Sequence, residues 1–224
     1  MVFLCSPTIV ILAGFCKSMT PQAPETAVTP QTSSPVTSLC VFCGSQSGSE
    51  PVYAAAAAAL GQAMAAQGTT LVFGGGRIGL MGAVADAALS GGGKIVGVIP
   101  TFLRDLELAH PGATEMVVVP DMHSRKRAMF ERSDAFCILP GGVGTLEEMF
   151  EIVTWRQLHL HNKPIIVLNT AGYWSHLISL FDRIITAGFA HKGHEALITV
   201  VAQPEDVLRA AAAELRTPKT PIPF

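Results

Sequence analysis

Charge is scarce in this chain of 224 residues: Asp, Glu, Lys and Arg make up 14% of it, and the formal net charge is -2. With no basic excess to neutralise a run of phosphates, nucleic acid is excluded as an expected partner. A small anionic ligand remains open, because a few amides and one or two arginines suffice for it. Long apolar runs are missing too. Residues 8–15 are apolar and precede Cys16, as in an export signal, yet the run is too short to span a bilayer and no Lys or Arg stands before it, so no membrane association is expected. Cysteine is sparse and odd in number (Cys5, Cys16, Cys40, Cys43, Cys137), which argues against a disulfide framework and fits a reducing cytoplasm. Cys40-x-x-Cys43 has no second pair at ligand spacing, so no metal site is expected from it.

Two nucleotide signatures are incomplete. Gly74-x-Gly76-x-x-Gly79 has the form of a dinucleotide fingerprint, but the next apolar run ends Val98-Ile99-Pro100, without the acid that would hold a ribose 2′-hydroxyl. No Gly-Lys-Ser/Thr completes a triphosphate loop, since Gly93-Lys94-Ile95 opens a strand.

What the chain does have is apolar residues, 49% of the total, enough for one large core. Residues 18–38 are rich in Pro, Thr, Ser and Gln, so residues 1–38 are read as a disordered or non-native extension, with Met19 as an alternative start. One domain is expected over residues 39–216, with a flexible tail at 217–224. Within it, short apolar runs at 39–43, 69–73, 94–99, 114–119, 135–139, 164–168 and 197–201 alternate with helix-favouring segments at 51–67, 80–90, 124–132, 145–158, 173–187 and 204–215. That alternation predicts α/β architecture with parallel strands and crossover helices. Ligands in such sheets collect beyond the carboxyl ends of the strands, where the glycine loops at 44–48, 74–76 and 141–144 fall.

Two segments carry candidate chemistry. Pro140-Gly141-Gly142-Val143-Gly144-Thr145 runs from a strand into a helix whose buried stripe is read as Leu146, Met149, Phe150 and Val153, with Glu148, Glu151 and Trp155 on another face. Amides at such a helix start suit one phosphate. Thr145-x-x-Glu148 also fits a capping box, the reading that spacing alone favours. Helix 124–132 has only Ala128 and Met129 as an apolar stripe, so Arg125-Lys126-Arg127 is either a ligand clamp or a solvated face.

Asp121-Met122-His123-Ser124-Arg125-Lys126, followed after a strand by Pro140-Gly141-Gly142-Val143-Gly144-Thr145-Leu146-Glu147-Glu148, closely resembles the LOG (Lonely Guy) family. These are cytokinin riboside 5′-monophosphate phosphoribohydrolases, often misnamed lysine decarboxylases. The resemblance runs from Leu39 to about Leu215 and includes Gly44-Ser45, Gly74-Gly75-Gly76-x-x-Gly79-Leu80-Met81-Gly82 and Trp155. It implies a Rossmann-like three-layer fold, a mostly parallel sheet flanked by helices, assembled as a homodimer or larger oligomer with the site near the subunit interface and with no metal or organic cofactor. It places the essential arginine and glutamate on Arg125 and Glu148. Substrate contacts fall on Glu107, Lys126, Gly141, Gly142, Val143, Gly144, Thr145, Leu146, Glu147 and Thr154; several members carry an aromatic residue at the position of Val143.

The expected activity is hydrolysis of the bond between base and ribose in a purine nucleoside 5′-monophosphate, either AMP or a cytokinin riboside 5′-monophosphate. The alternative is a non-catalytic carrier of a nucleotide or of the molybdenum cofactor. Lysine decarboxylation is set aside, because that chemistry relies on a Schiff-base lysine and bound pyridoxal.

Overall fold

β-Branched and aromatic residues between glycine-rich turns form β1 (Ser38–Phe42), β2 (Thr70–Phe73), β3 (Ile95–Pro100), β4 (Glu115–Val119), β5 (Ala135–Ile138), β6 (Ile165–Leu168) and β7 (Thr199–Val201). Between them run α1 (Pro51–Ala66), α2 (Gly79–Ser90), α3 (Thr101–Asp105), α4 (Met122–Glu131), α5 (Val143–Gln157), α6 (Ser175–Thr186) and α7 (Pro204–Arg216). The computed structural model describes residues 36–106 and 108–217. Most of the predicted extension, Cys5 and Cys16, Glu107 and the end of the predicted tail lie outside the described residues.

The strands make one seven-stranded sheet in the order β4-β3-β2-β1-β5-β6-β7. Every pairing is parallel, as the alternation of strands and helices implies. Because side chains alternate across a strand, odd- and even-numbered residues of β1 feed different cores. Leu39 and Val41 pack with Leu60, Val84 and Leu208 of α1, α2 and α7. Cys40 and Phe42 pack with Met129, Met149 and Ile152 of α4 and α5. The result is the expected three layers. It also separates Cys40 from Cys43, which belong to different clusters; both are free buried thiols, and burial pushes both well above the ordinary thiol range.

The sheet order reverses at β1, which pairs with β2 on one side and β5 on the other. The loops after β1 and β5 therefore emerge side by side. Gly44 N donates to Pro140 O at 3.0 Å and Leu80 N to Gly44 O at 3.1 Å, tying the start of α2 to the same place. A crevice at this switch point is where open parallel sheets take ligands.

Several expectations need correction. Val36, assigned to the extension, is only 5% exposed and joins the core, and the Thr37 and Ser38 amides donate to Asp134 Oδ2 at 2.9 and 3.0 Å. The polar side chains there are a strand lead-in satisfied by a distant carboxylate. The helix α3 has no counterpart among the expected segments; it is five residues long and buries none of them, so it leaves no apolar periodicity to read. On α5 the buried face is Thr145, Glu148, Met149, Ile152, Val153 and Arg156, whereas Phe150 is exposed at 36% and stacks on Phe181 of α6. Polar residues on the inner face rotate the apparent stripe. No described helix is long and apolar enough to cross a membrane.

Arg156 explains one of those inner polar residues. Its guanidinium, 6% exposed, pairs with Glu214 of α7 and donates to Leu197 O at 3.1 Å, while Thr199 Oγ1 donates to Glu214 at 2.9 Å. Removing one partner of a buried pair leaves the other charge uncompensated, so Glu214→Ala is expected to cost about 3–5 kcal/mol in urea unfolding. A loss below about 1 kcal/mol would mean the pair is not a structural tie.

Candidate active site

Two helix starts converge on the crevice. Asp121 caps α4: its Oδ1 accepts from Ser124 N at 2.8 Å and its Oδ2 from Ser124 Oγ at 3.1 Å. Those hydrogen bonds hold the Asp121 carboxyl below its ordinary range. The cap starts α4 at Met122, earlier than expected, and places Arg125 and Lys126 at the end of its first turn, both buried. They are neither solvated nor idle.

Arg125 Nε donates to Val98 O at 3.2 Å, and Nη1 lies 3.3 Å from Glu148 Oε1. Both residues are 8% exposed. A Cβ at position 74 would collide with Arg125 Nη2, so Gly74 is glycine because the guanidinium lies against its backbone. Burial pushes the Glu148 carboxyl up to about 7 despite the opposing pull of Arg125, with the neighbouring Glu147 adding to the rise. A carboxyl poised there serves proton transfer or charge stabilisation near neutrality.

The Gly-rich loop takes up the other side. Gly142 is the N-cap of α5, so Thr145 is the third helical residue and Glu148 the sixth; the capping-box alternative is thereby overturned, because Thr145 already lies inside the helix. Gly142 has no side chain with which to cap. The amides of Val143, Gly144 and Thr145 have no partner within the helix, and all three residues line the cleft. A Cβ on Gly141 would collide with Thr145 Oγ1 and lie 2.8 Å from Gly44 N, so close approach of the two loops requires glycine there. At Gly142 and Gly144 a Cβ would meet nothing within 4 Å among the described residues.

The cleft has a volume of about 470 Å³. Arg125 and Glu148 lie in its wall beside Gly44, Gly74 and Gly142, and its apolar side includes Ile78, Leu103, Leu108 and Met122. Val143 also lines it and is 83% exposed, leaving that corner open. Glu147 is at its edge. Lys126 Nζ donates to Glu147 and, at 3.0 Å, to Glu151. Burial pulls the Lys126 ammonium down, but the two carboxylates outweigh it and the net shift is upward. Leu146 is half-buried against the α5 side of the core. Thr154 is exposed and nearly two turns along α5 from Glu148, so the single chain does not bring it to the cleft. Glu107 lies outside the described residues.

The sequence reading assigns no site role to Val98, Glu151 or Tyr173, and has Gly74 only as part of a glycine loop. Gly74 and the Val98 carbonyl seat Arg125, Glu151 shares Lys126, and Tyr173 Oη donates to Gly141 O at 2.7 Å from outside the loop. Glu151 carries a legible signal, being one turn beyond Glu147. Tyr173 and Val98 carry none, since they act from distant segments. Among the described residues, no group of three or more His, Cys, Asp or Glu could hold a metal ion.

Residues 81–211 match the protein family described as "Possible lysine decarboxylase". The cytokinin riboside 5′-monophosphate phosphoribohydrolase of Rhodococcoides fascians is 44% identical over 196 residues, covering 87% of this chain and 97% of that protein. The cytokinin riboside 5′-monophosphate phosphoribohydrolase LOG1 of Arabidopsis thaliana is 46% identical over 151 residues, 67% of this chain and 71% of that one. Among solved structures, the molybdenum cofactor carrier protein from Chlamydomonas reinhardtii superposes with a TM-score of 0.63 at 20% identity, covering 80% of this chain and 98% of that one. That likeness concerns the fold alone.

The packing of Gly74 on Arg125 has a measurable consequence. Gly74→Ala displaces the guanidinium that lowers the Glu148 carboxyl, so that carboxyl should titrate above the wild-type value of about 7 in carbon-13 NMR of labelled glutamate. Titration at or below the wild-type position contradicts this account.

Proposed function

Because the chain belongs to the LOG family of cytokinin riboside 5′-monophosphate phosphoribohydrolases, we propose that it hydrolyses the N-glycosidic bond of purine nucleoside 5′-monophosphates at the Arg125–Glu148 cleft. The products are the free base and ribose 5-phosphate. The observation that carries the assignment of the site is the buried 3.3 Å pair of Arg125 and Glu148 beside unpaired helix-start amides.

In this scheme the phosphate sits on the amides of Val143, Gly144 and Thr145, where the helix dipole favours an anion. The open space over Gly142 and Gly144 suits that approach. Lys126, Glu147 and Leu146 shape the same turn, and Gly141 holds it against Gly44. As the bond from the anomeric carbon to the base nitrogen breaks, its electron pair leaves with the base, which takes a proton from solvent, and positive charge builds on the ribose until the hydroxyl of a water closes on the anomeric carbon and the water's other proton returns to solvent. Ionised Glu148 stabilises that charge, directs a water to the anomeric carbon, or bonds to it transiently. Arg125 keeps Glu148 oriented and partly ionised in its buried setting and offers its fork to ribose or phosphate oxygens. The apolar wall with Ile78, Leu103 and Met122 takes the base, either adenine or an N6-substituted adenine. The acting form of Glu148 is the carboxylate, so kcat/KM should climb as pH rises through about 7.

We further propose that the protein works as a cytoplasmic homodimer. Leu180, 49% exposed on α6, and Phe189, 87% exposed just beyond it, give this side of the molecule an apolar surface suited to a second copy. Thr154, exposed on α5, and Glu107 are both retained as substrate contacts on family position, the former on the premise that a second copy brings a cleft to it. The reduced cytoplasm suits the free thiols of Cys40, Cys43 and Cys137.

Glu148→Gln and Arg125→Ala are each expected to lower release of adenine from AMP by about 10²-fold or more, with circular dichroism reporting an intact fold. Near-normal turnover in either variant removes that residue from the mechanism. Adenosine should be a far poorer substrate than AMP, because the phosphate contacts position the ribose; equal rates contradict the phosphate cradle. Sedimentation of Leu180→Glu combined with Phe189→Glu should report a monomer where the wild type is dimeric, and an unchanged dimer places the interface elsewhere.

A further inference from the structure

Beside Arg125 and Glu148 lies a second set of charges for which the reaction scheme has only part of a use. Lys126 is 7% exposed, and its ammonium is shared by Glu147 and Glu151. Those carboxylates are four residues apart and therefore on one face of α5. Arg125 and Lys126 are consecutive on α4, so the two helices are joined at adjacent points: Arg125 to Glu148, and Lys126 to Glu147 and Glu151.

Glu147 lines the cleft with its side chain 53% exposed, whereas Glu151 is 25% exposed and stands outside the cleft wall. Glu151 therefore acts on the site through Lys126. A lysine stem is flexible, and an ammonium bound by a single half-exposed carboxylate is poorly fixed. A second, better-buried carboxylate removes that freedom.

We propose that Glu151 is a positioning residue of this active site: by sharing the Lys126 ammonium with Glu147 it clamps α4 to α5 and so sets the separation of Arg125 and Glu148. This role presupposes that Arg125 and Glu148 form the reacting centre. The clamp has an electrostatic side as well. The charged and titratable groups around Glu148 are Arg125 and Lys126 from α4, Glu147 and Glu151 from its own helix, and the Cys40 and Cys43 thiols of β1 and the loop after it. Of these, Glu151 is one of the negative charges that hold the Glu148 carboxyl up, so its removal shifts Glu148 downward.

The test is steady-state kinetics with AMP across pH on the wild type, Glu151→Gln, Glu151→Asp, Lys126→Gln and the Lys126→Gln/Glu151→Gln double variant. In Glu151→Gln, kcat should fall about tenfold while KM changes by less than about threefold, as expected when reacting groups are slightly misplaced. The ascending limb of its kcat/KM profile should move to lower pH. Glu151→Asp, which keeps the charge, should recover most of the rate with the limb in place, and Glu151→Gln should cost nothing further once Lys126 is gone. A kcat within about twofold of wild type overturns the proposal, as does a loss that adds fully to that of Lys126→Gln and leaves the limb unmoved. If Glu151→Gln fails to fold, Glu151→Ala, alone and combined with Lys126→Gln, is judged by the same loss, limb position and additivity. A wild-type protein that releases no base from nucleotide sinks the assigned reaction, and the clamp with it.

Discussion

The structure turns on one buried ion pair, Arg125 with Glu148. A carboxylate and a guanidinium, each 8% exposed, are held 3.3 Å apart at the mouth of a parallel sheet. Burying both groups carries a desolvation cost that their attraction offsets only with good geometry and further hydrogen bonds. Those are supplied locally, by the Val98 carbonyl to Arg125 Nε and by the room that Gly74 leaves for the guanidinium. The incomplete compensation is visible in Glu148, which burial lifts to about 7 even with Arg125 beside it. A residue in that condition is a poor stabiliser of the fold and a good participant in chemistry near neutral pH.

The crevice in which the pair sits comes from the reversal of strand order at β1. With β2 on one flank and β5 on the other, the loops after β1 and β5 leave the sheet together and are joined through Gly44 and Pro140. Helix α5 then starts over the crevice, and α4, capped by Asp121, delivers Arg125 from the opposite side. Tyr173 props Gly141 from behind. The same geometry serves nucleotides in many unrelated α/β proteins, which is why the fold shared with a molybdenum cofactor carrier says little about activity, whereas a relative 44% identical over 97% of its length shows the family.

Much of the architecture is legible in the amino-acid sequence. Seven apolar runs correspond to seven parallel strands, and the five inner ones are the clearest because strands buried on both faces need continuous apolar sequence. Boundaries fail where polar residues do structural work from a distance. Val36 to Ser38 resemble an extension because the partner of their polar groups, Asp134, lies nearly a hundred residues away. The inner face of α5 is obscured because Thr145, Glu148 and Arg156 are buried there, the two charged ones each paired with a residue of another element. Arg125-Lys126 is compatible with a solvated face for the same reason.

The sequence by itself determined the order of strands and helices, the glycine loop that opens α5, and which two charged residues match the family motif, since all of these are local in the chain or depend on residue identity alone. Only the tertiary structure decided that Arg125 and Glu148 touch, that Thr145 lies inside a helix rather than capping it, that Lys126 is shared by Glu147 and Glu151, and that Glu148 titrates near 7. The physical reason is that contact and desolvation are non-local quantities: strand order sets which loops meet, and the burial that follows sets the charge state.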